Sequence, residues 1–166
     1  MHDKLTKQDI EKMQAEIDRR KLELRPQILA ELKEARAQGD LSENFEYYAA
    51  KKARGENDGR IRYLENMIRT AVIVEDHSDA DQVGLDKRVV LAFDGNDDDT
   101  EEYKIVTSVR GNSLEGRITP ESPLGRALMG HRPGDKVHVK VSDTIEYDVV
   151  IKEVAQDDEE DEIRKY

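Results

Sequence analysis

Three acidic residues recur at a spacing of three within Gly39–Ala50, a segment that reads GDLSENFEYYAA. At a helix start, Asp40, Glu43 and Glu46 would project to roughly one side, because residues three and four apart share a helix face. Carboxylate oxygens suit hard cations, and Mg²⁺ usually binds through one or two protein carboxylates together with phosphates and water. Two carboxylates here could therefore complete a magnesium site built elsewhere, although they could not form a tight site alone.

The same acidic residues also have a purely structural interpretation. Asp40 is a suitable N-cap and Glu43 follows three residues later, so the pair resembles a capping box with Asp in place of Ser or Thr. Acidic side chains in a first helical turn also interact favourably with the helix dipole. The residue pattern alone leaves helix capping and metal binding open.

Two long helical patterns flank this acidic segment. The first runs from about Lys7 to Gln38, and Pro26 inside it removes a backbone donor and should kink the helix. The second runs from about Leu41 to Val74, and the very short connection predicts an antiparallel pair. Each pattern carries one stripe of residues spaced by 3, 4 or 7, which is typical of packed helices. The stripes are Ile10, Met13, Ile17, Leu24, Ile28, Leu32 and Ala35 in the first helix, and Tyr47, Ala50, Arg54, Asn57, Ile61, Leu64, Ile68 and Ala71 in the second.

Basic side chains accompany the acidic segment on both helices. They could meet phosphates of a nucleic acid near such a site. The alternative is that they cover solvated helix faces. They are Lys33, Arg36, Lys51, Lys52 and Arg54.

The composition narrows the class of protein. Among 166 residues, 36% are hydrophobic and 39% are charged, which suits a long hairpin plus a small domain better than one compact globule. The absence of cysteine excludes disulfides and thiolate metal sites. The sequence MHDKLTKQDI lacks the apolar core of a signal peptide, and no apolar run could span a membrane. We therefore expect a soluble, cytoplasmic protein without a membrane partner.

Charge is distributed unevenly along the chain. Residues 1–74 hold 15 Lys/Arg and 14 Asp/Glu, whereas the remainder holds 12 Lys/Arg and 24 Asp/Glu. The acidic second half should repel bare nucleic acid. A protein of this charge that works near DNA or RNA would reach it by binding another protein.

In the second half of the chain the apolar residues leave the helical spacing and partly alternate, as in β-strands. The sequence therefore predicts an α+β protein. We expect a coiled-coil hairpin with an acidic tip at 1–76, a linker at 77–82, a small antiparallel-sheet domain at 83–155 and a disordered acidic tail at 156–166. Ser122–Met129 should form one short helix, with Ser122 as its cap and Pro123 at its first position. The expected strands are Lys87–Phe93, Glu102–Val109, Lys136–Val141 and Ile145–Val154, with turns at Gly95–Asp99, Gly111–Asn112 and Pro133–Gly134.

No second site emerges from the remaining residues. The four histidines are scattered, with no spacing typical of a zinc site or a catalytic pair. The sequence also has no Gly-rich phosphate loop and no nucleophile elbow. The histidines are His2, His77, His131 and His138.

Three stretches of the chain match a known family. The opening LTKQDIEKMQAEID is similar to the family's N-terminus, and RPQILAELKEARAQGDLSENFEYYAAKKARGENDGRIRYLENMIRTAVIV matches its helical hairpin nearly throughout. ESPLGRALMGHRPGDKVHVKV matches its C-terminal motif. On these motifs, which cover most of the chain, it resembles the bacterial Gre transcript-cleavage factors of the GreA type.

The resemblance implies a partner and a mechanism. Gre factors bind bacterial RNA polymerase and insert the hairpin through its secondary channel, so that the tip reaches the nascent RNA 3′ end of a backtracked complex. Tip carboxylates there help to hold the second magnesium ion and to orient a water, and the polymerase cuts its own transcript. Asp40 and Glu43 match the positions of those carboxylates, and Glu46 and Tyr47 match the tip motif as supporting residues.

Further expectations follow from the same resemblance. The chain would not be an enzyme alone and would bind no cofactor stably, since Mg²⁺ would be shared with the polymerase active site. The C-terminal domain would have an FKBP-like fold and dock on the polymerase exterior, although capping explains Ser122 and Pro123 equally well. A hairpin that enters a channel implies a working monomer. The expected docking residues are Ser122, Pro123, Leu124 and Arg126.

Three features depart from the family pattern. Phe45 replaces the usual alanine, and its ring could stack on a base, block the channel or pack against the facing helix. The segment from Asp94 to Glu102 and the tail with Asp157–Glu162 are unusually acidic. Two alternatives therefore stay open: a related protein that enters the same channel and inhibits or modulates the polymerase, and a plain coiled-coil adaptor whose tip acids are only caps.

Overall fold

The computed structural model describes residues 2–39, 43–93 and 96–165. The chain forms two compact units, the first made of Met1–Asp3 and Lys7–Val72 and the second of Lys4–Thr6 and Ile73–Tyr166. The first unit is a helical hairpin, and the second is a sheet with one short helix. The predicted α+β class, with a hairpin followed by a small sheet domain, is confirmed.

The first arm of the hairpin is helical from Lys7 to Ala37 but changes its hydrogen bonding on the way. Helix α1 spans Lys7–Arg19, a π-helical turn spans Arg20–Leu24, and helix α2 spans Arg25–Ala37. The π turn ends two residues before Pro26, which has no N–H and whose ring would crowd the carbonyl four residues earlier in a regular α-helix. The interruption expected at this proline therefore takes the form of a wider turn.

Helix α3, the second arm, spans Phe45–Thr70 and is shorter at both ends than the predicted 41–74. Its C-terminal neighbour Ala71 already has an extended backbone, and Val72–Ile73 forms strand β2. The apolar stripes are confirmed at most positions, but Arg54 is exposed, so its assignment to the seam is wrong. The buried residues of the two arms are Asp9, Met13, Ile17, Leu32, Ala35, Ala50, Asn57, Arg60, Ile61 and Leu64.

A polar cluster lies between the arms where the π turn faces α3. Arg60 Nε and Arg20 Nε both donate to Glu16 Oε2 at 2.8 Å. The amide of Asn57 accepts from Arg20 Nη1 at 3.0 Å and donates to the Arg20 carbonyl at 3.2 Å. Burial acts to raise the pKa of Glu16, but the hydrogen bonds from Arg60 and Arg20 outweigh it and hold that pKa below its usual range. Because each bond needs a specific partner, the cluster fixes the register of the two arms.

The second unit contains a five-stranded sheet whose strands are, in spatial order, β5 (Arg117–Ile118), β4 (Asn96–Ile105), β3 (Lys87–Phe93), β7 (Glu146–Gln156) and β6 (Lys136–Lys140). All neighbours are antiparallel except β4 and β5, which are parallel. The sheet and helix α4 (Pro123–Leu128) enclose an apolar core that includes Val89, Leu91, Ile105 and Ile151. Strand β1 (Lys4–Leu5) lies outside this sheet and pairs with β2.

Strand β4 differs from its prediction at both ends. It begins at Asn96, inside the acidic segment that was predicted to be a turn, and the register with β3 shifts between Ala92 and Phe93. Lys152 Nζ contacts Asp97 at 2.6 Å and so offsets part of the negative charge on this strand. At the other end, Ser108–Arg110 forms a 3₁₀ turn where the prediction continued the strand. The two-residue strand β5 was missed.

The acidic tail is ordered against the sheet unit within the part of the chain that the structure describes. Asp161 is buried, with Lys104 Nζ at 2.8 Å and Arg110 Nη1 at 3.2 Å from Oδ2. The Arg164 N–H donates to the Val109 carbonyl at 2.7 Å, and Lys104 Nζ also donates to the Glu159 carbonyl at 2.8 Å. The expectation of a disordered tail is therefore wrong for residues 157–165, because buried cations of the sheet unit bind the tail.

Polar residues that precede the sheet are also held by the second unit. The buried Lys87 Nζ donates to Ser78 Oγ and to the Gln82 carbonyl, both at 2.8 Å, and to the Asp79 carbonyl.

Within the described ranges, no helix has the length and apolar character needed to cross a membrane.

Candidate functional site

Asn44 begins helix α3. Its Oδ1 accepts a hydrogen bond from the Tyr47 N–H at 3.0 Å, which is the bond that defines an N-cap. Its Nδ2 donates to the Ala35 carbonyl near the end of α2 at 2.7 Å. One amide side chain therefore caps the second arm and ties its start to the end of the first.

This cap places the start of α3 later than the capping-box pattern of Asp40 and Glu43 predicted. Asp40 lies outside the residues that the structure describes, but the N-cap of α3 is Asn44, four residues further along the chain. Glu43 precedes the cap and is exposed, whereas a capping-box acid would sit three residues after it. Capping of α3 therefore accounts for neither acid.

The other tip residues lie in the first turn of α3. Glu46 is exposed, in a turn where a negative charge interacts favourably with the helix dipole. Tyr47 is half-buried, with the Arg36 guanidinium 5.7 Å from its ring centroid. This cation–π contact crosses from α2 to α3, so Tyr47 holds the end of the hairpin together.

Phe45, the first residue of α3, points into solvent. It is 85% exposed, which excludes packing against the facing helix, one of the three possibilities open for its ring. Base stacking and channel blocking, the other two possibilities, both need an exposed ring. Tyr48 is 49% exposed in the same turn.

The five basic residues near the tip are all exposed, as expected for groups that meet phosphates or solvent. Lys52 lies 3.8 Å from Glu56 and Arg54 lies 4.0 Å from Asp58, both at a spacing of four on the helix surface. Such exposed pairs contribute little energy and separate easily. Lys33, Arg36 and Lys51 complete the set, with Arg36 held over Tyr47.

Asn44→Ala should lower the free energy of unfolding of the hairpin by about 1–2 kcal/mol, because α3 loses its cap. The Tyr47 amide, which donates to the Asn44 side chain, should also exchange faster with solvent. Urea unfolding and amide hydrogen exchange would measure both effects.

Asn44→Asp is the matched variant for this test. Aspartate can still cap α3 but has no N–H to donate to the Ala35 carbonyl. It should restore protection of the Tyr47 amide and recover only part of the stability. Equal midpoints for the native chain and both variants would contradict the role assigned to Asn44.

The predicted docking residues surround helix α4. Ser122 caps this helix by accepting from the Gly125 N–H at 3.1 Å, and its hydroxyl donates to the Thr119 carbonyl at 2.7 Å. Pro123 and Arg126 are exposed, but Leu124 belongs to the apolar core. The assignment of Leu124 to a contact surface is therefore wrong, because its side chain is occupied inside the unit.

Three histidines pair with nearby carboxylates on the protein surface. His131 Nδ1 lies 3.1 Å from Asp135 and His138 Nδ1 lies 2.8 Å from Asp148, whereas His77 is 4.0 Å from Glu75. Within residues 2–39, 43–93 and 96–165, no group of three or more His, Asp or Glu side chains is placed to hold a metal ion. These pairs are surface contacts of the second unit.

His138 should titrate above its ordinary pKa of 6.5, because hydrogen bonds with Asp148 and Glu146 favour the imidazolium. The pairing should therefore stabilise the fold below pH 6.5, and this contribution should disappear as the pH rises through the raised pKa of the folded state. Proton NMR titration of the imidazole would measure the midpoint. Asp148→Asn should lower this midpoint, whereas Asp143→Asn, in the turn between β6 and β7, should not. An unchanged midpoint in Asp148→Asn would contradict the assignment.

The residue that sequence reasoning missed at the tip is Asn44. Its signal was present, since Asn is among the preferred N-caps and Glu46 follows in the first turn. Asp40 offered an equally good local signal four residues earlier. The bond to the Ala35 carbonyl distinguishes the two, and this bond depends on the fold of the hairpin.

Residues 4–73 match the family model described as "Transcription elongation factor, N-terminal". Residues 77–156 match the family model described as "Transcription elongation factor, GreA/GreB, C-term". The chain belongs to the GreA/GreB family of transcription elongation factors.

Curated relatives agree over most of the chain. Transcription elongation factor GreA of Macrococcus caseolyticus is 38% identical over 152 residues, which cover 91% of this chain and 95% of the relative. Transcription elongation factor GreA of Lactococcus lactis subsp. cremoris is 42% identical over 136 residues, which cover 81% of this chain and 86% of the relative. Among solved structures, GreA factor homolog 1 of Thermus thermophilus is 25% identical, with a TM-score of 0.43 and coverage of 93% of this chain and 99% of that one.

Proposed function

We propose that this elongation factor binds bacterial RNA polymerase, inserts its hairpin into the secondary channel and stimulates the polymerase to cleave backtracked RNA. The polymerase would own the active site, and the chain would lend it carboxylates. The factor would act as a monomer in the cytoplasm, where the polymerase works. This function is the one that family membership and the tip geometry together support best.

The observation that carries the proposal is the position of Glu43 relative to Asn44. Asn44 performs the capping of α3 and braces the tip against the Ala35 carbonyl. Glu43, immediately before it, keeps an exposed carboxylate on a segment whose backbone is held at one end. A group that is both positioned and available is what a shared active site needs.

The chemistry of the tip fits magnesium. Asp40 and Glu43 would offer oxygen ligands, and Mg²⁺ is commonly held by only one or two protein carboxylates when phosphates and water supply the rest. The bound ion would stabilise charge on the reacting oxygens and lower the pKa of a bound water. Glu46 and Tyr47 would support the acids, Glu46 through its adjacent charge and Tyr47 by bracing α3 against α2 through Arg36.

The exposed basic residues would accompany the RNA. Lys33, Lys51 and Lys52 are placed on α2 and α3 near the tip, and a phosphate would compete well with the weak surface pair between Lys52 and Glu56. Arg36 would serve mainly through Tyr47. These contacts would bind the backbone of the nascent strand without reading its sequence.

The second unit would dock on the polymerase exterior through the surface beside α4. Pro123 and Arg126 are exposed there, and the Arg126 guanidinium donates to the Glu121 carbonyl at 3.0 Å. Ser122 would act by fixing the start of the helix, and Leu124 by packing beneath it. Direct contact would then belong to Pro123 and Arg126.

The proposal is tested by RNA cleavage in a stalled, backtracked polymerase complex with magnesium, with and without the chain. We expect shorter RNA with a new 3′ end only when the factor is present. Polymerase binding, measured in the same reaction by co-migration, separates failure to bind from failure to stimulate. Binding without any cleavage would overturn the proposed function.

Exposed Phe45 favours one second candidate, a factor that enters the channel and inhibits the polymerase. An aromatic ring of this size beside the acids could obstruct nucleotide entry. Slower nucleotide addition by active elongation complexes, without cleavage of backtracked ones, would identify this function. A plain coiled-coil adaptor would instead fail to enrich polymerase from a cell extract.

A further inference from the structure

Two aromatic residues, three apart in sequence, are exposed at the start of α3. Phe45 is 85% exposed and Tyr48, three residues later, is 49% exposed. Residues three apart on a helix are surface neighbours, so the two rings form one apolar patch. We call these two residues the aromatic pair. An isolated exposed ring needs no explanation, but adjacent rings at a functional tip indicate a binding surface.

The aromatic pair is held on a braced support. Tyr48 packs edge-on against Tyr47, with ring centroids 5.6 Å apart and an interplanar angle of 61°. Tyr47 is in turn fixed by the Arg36 guanidinium, and Asn44, directly before Phe45, is bonded to both arms. A ring that is already positioned loses little conformational entropy when a ligand stacks on it.

Exposed charges of both signs lie near the pair, with Glu43 and Glu46 at the start of α3 and two lysines one turn further along it. Lys51 and Lys52 are exposed and lie three and four residues after Tyr48, so their ammonium groups belong to the same helix face. Aromatic faces next to cations are the combination that binds unpaired nucleic acid, with bases stacked on the rings and phosphates near the cations. An apolar protein partner would gain nothing from the two lysines.

We propose that Phe45 and Tyr48 form a stacking platform for an unpaired base of the displaced RNA 3′ segment, with Lys51 and Lys52 beside its phosphates. This inference rests on the proposed function, since the RNA end must reach the tip. It assigns the rings a specificity role: the factor would bind complexes with an extruded, unpaired 3′ end more tightly than complexes without one.

The test compares binding to backtracked and non-backtracked polymerase complexes. All chains carry Asp40→Asn and Glu43→Gln so that the RNA stays intact, and the added changes are Phe45→Leu, Phe45→Tyr or none. Phe45→Leu keeps apolar bulk but removes the ring, and it should weaken binding to the backtracked complex by about tenfold, within the range for loss of one base stack. Binding to the non-backtracked complex should stay the same.

Two further readouts separate stacking from other effects. Phe45→Tyr keeps a ring and should bind as the parent does, and 2-aminopurine at the RNA 3′ end should be quenched by the parent and Phe45→Tyr but not by Phe45→Leu. Leu22→Ala is the matched control, since Leu22 is an apolar residue of the first arm that is 76% exposed. It should change neither measurement.

Failure of this inference differs from failure of the proposed function. If Phe45→Leu weakens binding of the factor to both complexes equally, the ring contacts the polymerase and the stacking role is overturned. If it weakens binding to neither complex and 2-aminopurine is still quenched, the ring contributes nothing to binding and the stacking role is also overturned. In both cases the unmodified factor could still stimulate cleavage. Selective weakening and lost quenching, without cleavage by the unmodified factor, would uphold stacking and reject the proposed function.

Discussion

Glu43→Gln combined with Asp40→Asn will reduce stimulated RNA cleavage by about a hundredfold and leave polymerase binding nearly unchanged. A magnesium ion stabilises the charge of the transition state by several kcal/mol, and about 2.7 kcal/mol corresponds to a hundredfold in rate. A neutral amide keeps the size of a carboxylate but is a poor magnesium ligand. The measurement is the single-turnover rate of RNA cleavage in a backtracked complex at saturating factor.

The fold should tolerate these substitutions. Glu43 is exposed and precedes the cap, so its replacement by an isosteric amide removes no bond that begins α3. Surface changes of this kind usually alter the free energy of unfolding by within about 0.5 kcal/mol. Unfolding of the double variant, followed by circular dichroism of the helices, should therefore have the native midpoint.

Glu46→Gln is the control for the loss of negative charge. Glu46 is exposed in the first turn of α3, three residues after Glu43, and carries the same group. Its replacement should slow cleavage much less than that of Glu43, because it supports the pair and is not one of the proposed ligands. Higher magnesium should partly rescue Glu43→Gln if the ion is bound more weakly. Cleavage by the double variant at the native rate would reject the carboxylate-donor mechanism.

The hairpin could be predicted from periodicity, but its exact start could not. Asp40 and Asn44 are both good N-caps, and local sequence does not choose between them. The choice follows from a bond that exists only after the arms have met, from Asn44 Nδ2 to the Ala35 carbonyl. Tertiary contacts of this kind commonly override local preference.

The role of polar residues in the seam between the two arms could not be predicted from periodicity. Asn57 looked like an interruption of an apolar stripe, yet it is buried and bonded to both the side chain and the carbonyl of Arg20. Arg20 begins the π turn, whose position is set in part by Pro26 two residues after it ends. The proline was visible in the sequence, but the partner of the widened turn was not.

The two Asp-rich segments were predicted least well. Turn-forming residues predicted a turn at Gly95–Asp99 and acidity predicted a disordered tail, whereas Asn96–Asp99 belong to a strand and Asp161 is buried. Both errors share one cause, which is that ion pairs between residues distant in sequence offset the local repulsion. Lys152 does this for Asp97, and Lys104 and Arg110 do it for Asp161.

Asp161→Asn will lower the free energy of unfolding of the second unit by about 2–3 kcal/mol. The side chains of Asp161, Lys104 and Arg110 are all at most 9% exposed, and removal of one charge from a buried set leaves its partners uncompensated. The loss is less than complete because Arg110 keeps Asp86 at 2.6 Å and Lys104 keeps Asp157 at 3.8 Å. Hydrogen exchange of the slowest amides in β3 and β7 would measure it, since these central strands report unfolding of the whole unit.

Glu160→Gln supplies the matched comparison, because Glu160 is exposed, adjacent in sequence and loses the same charge. It should leave exchange in β3 and β7 unchanged or slow it slightly, since the whole second half of the chain is acidic. If both variants lose equal stability, the tail acts only through net charge and the buried ion pairs contribute nothing specific. If Asp161→Asn alone destabilises the unit, the tail is a structural part of the sheet unit, and a truncation before residue 157 should cost at least as much stability as the point substitution.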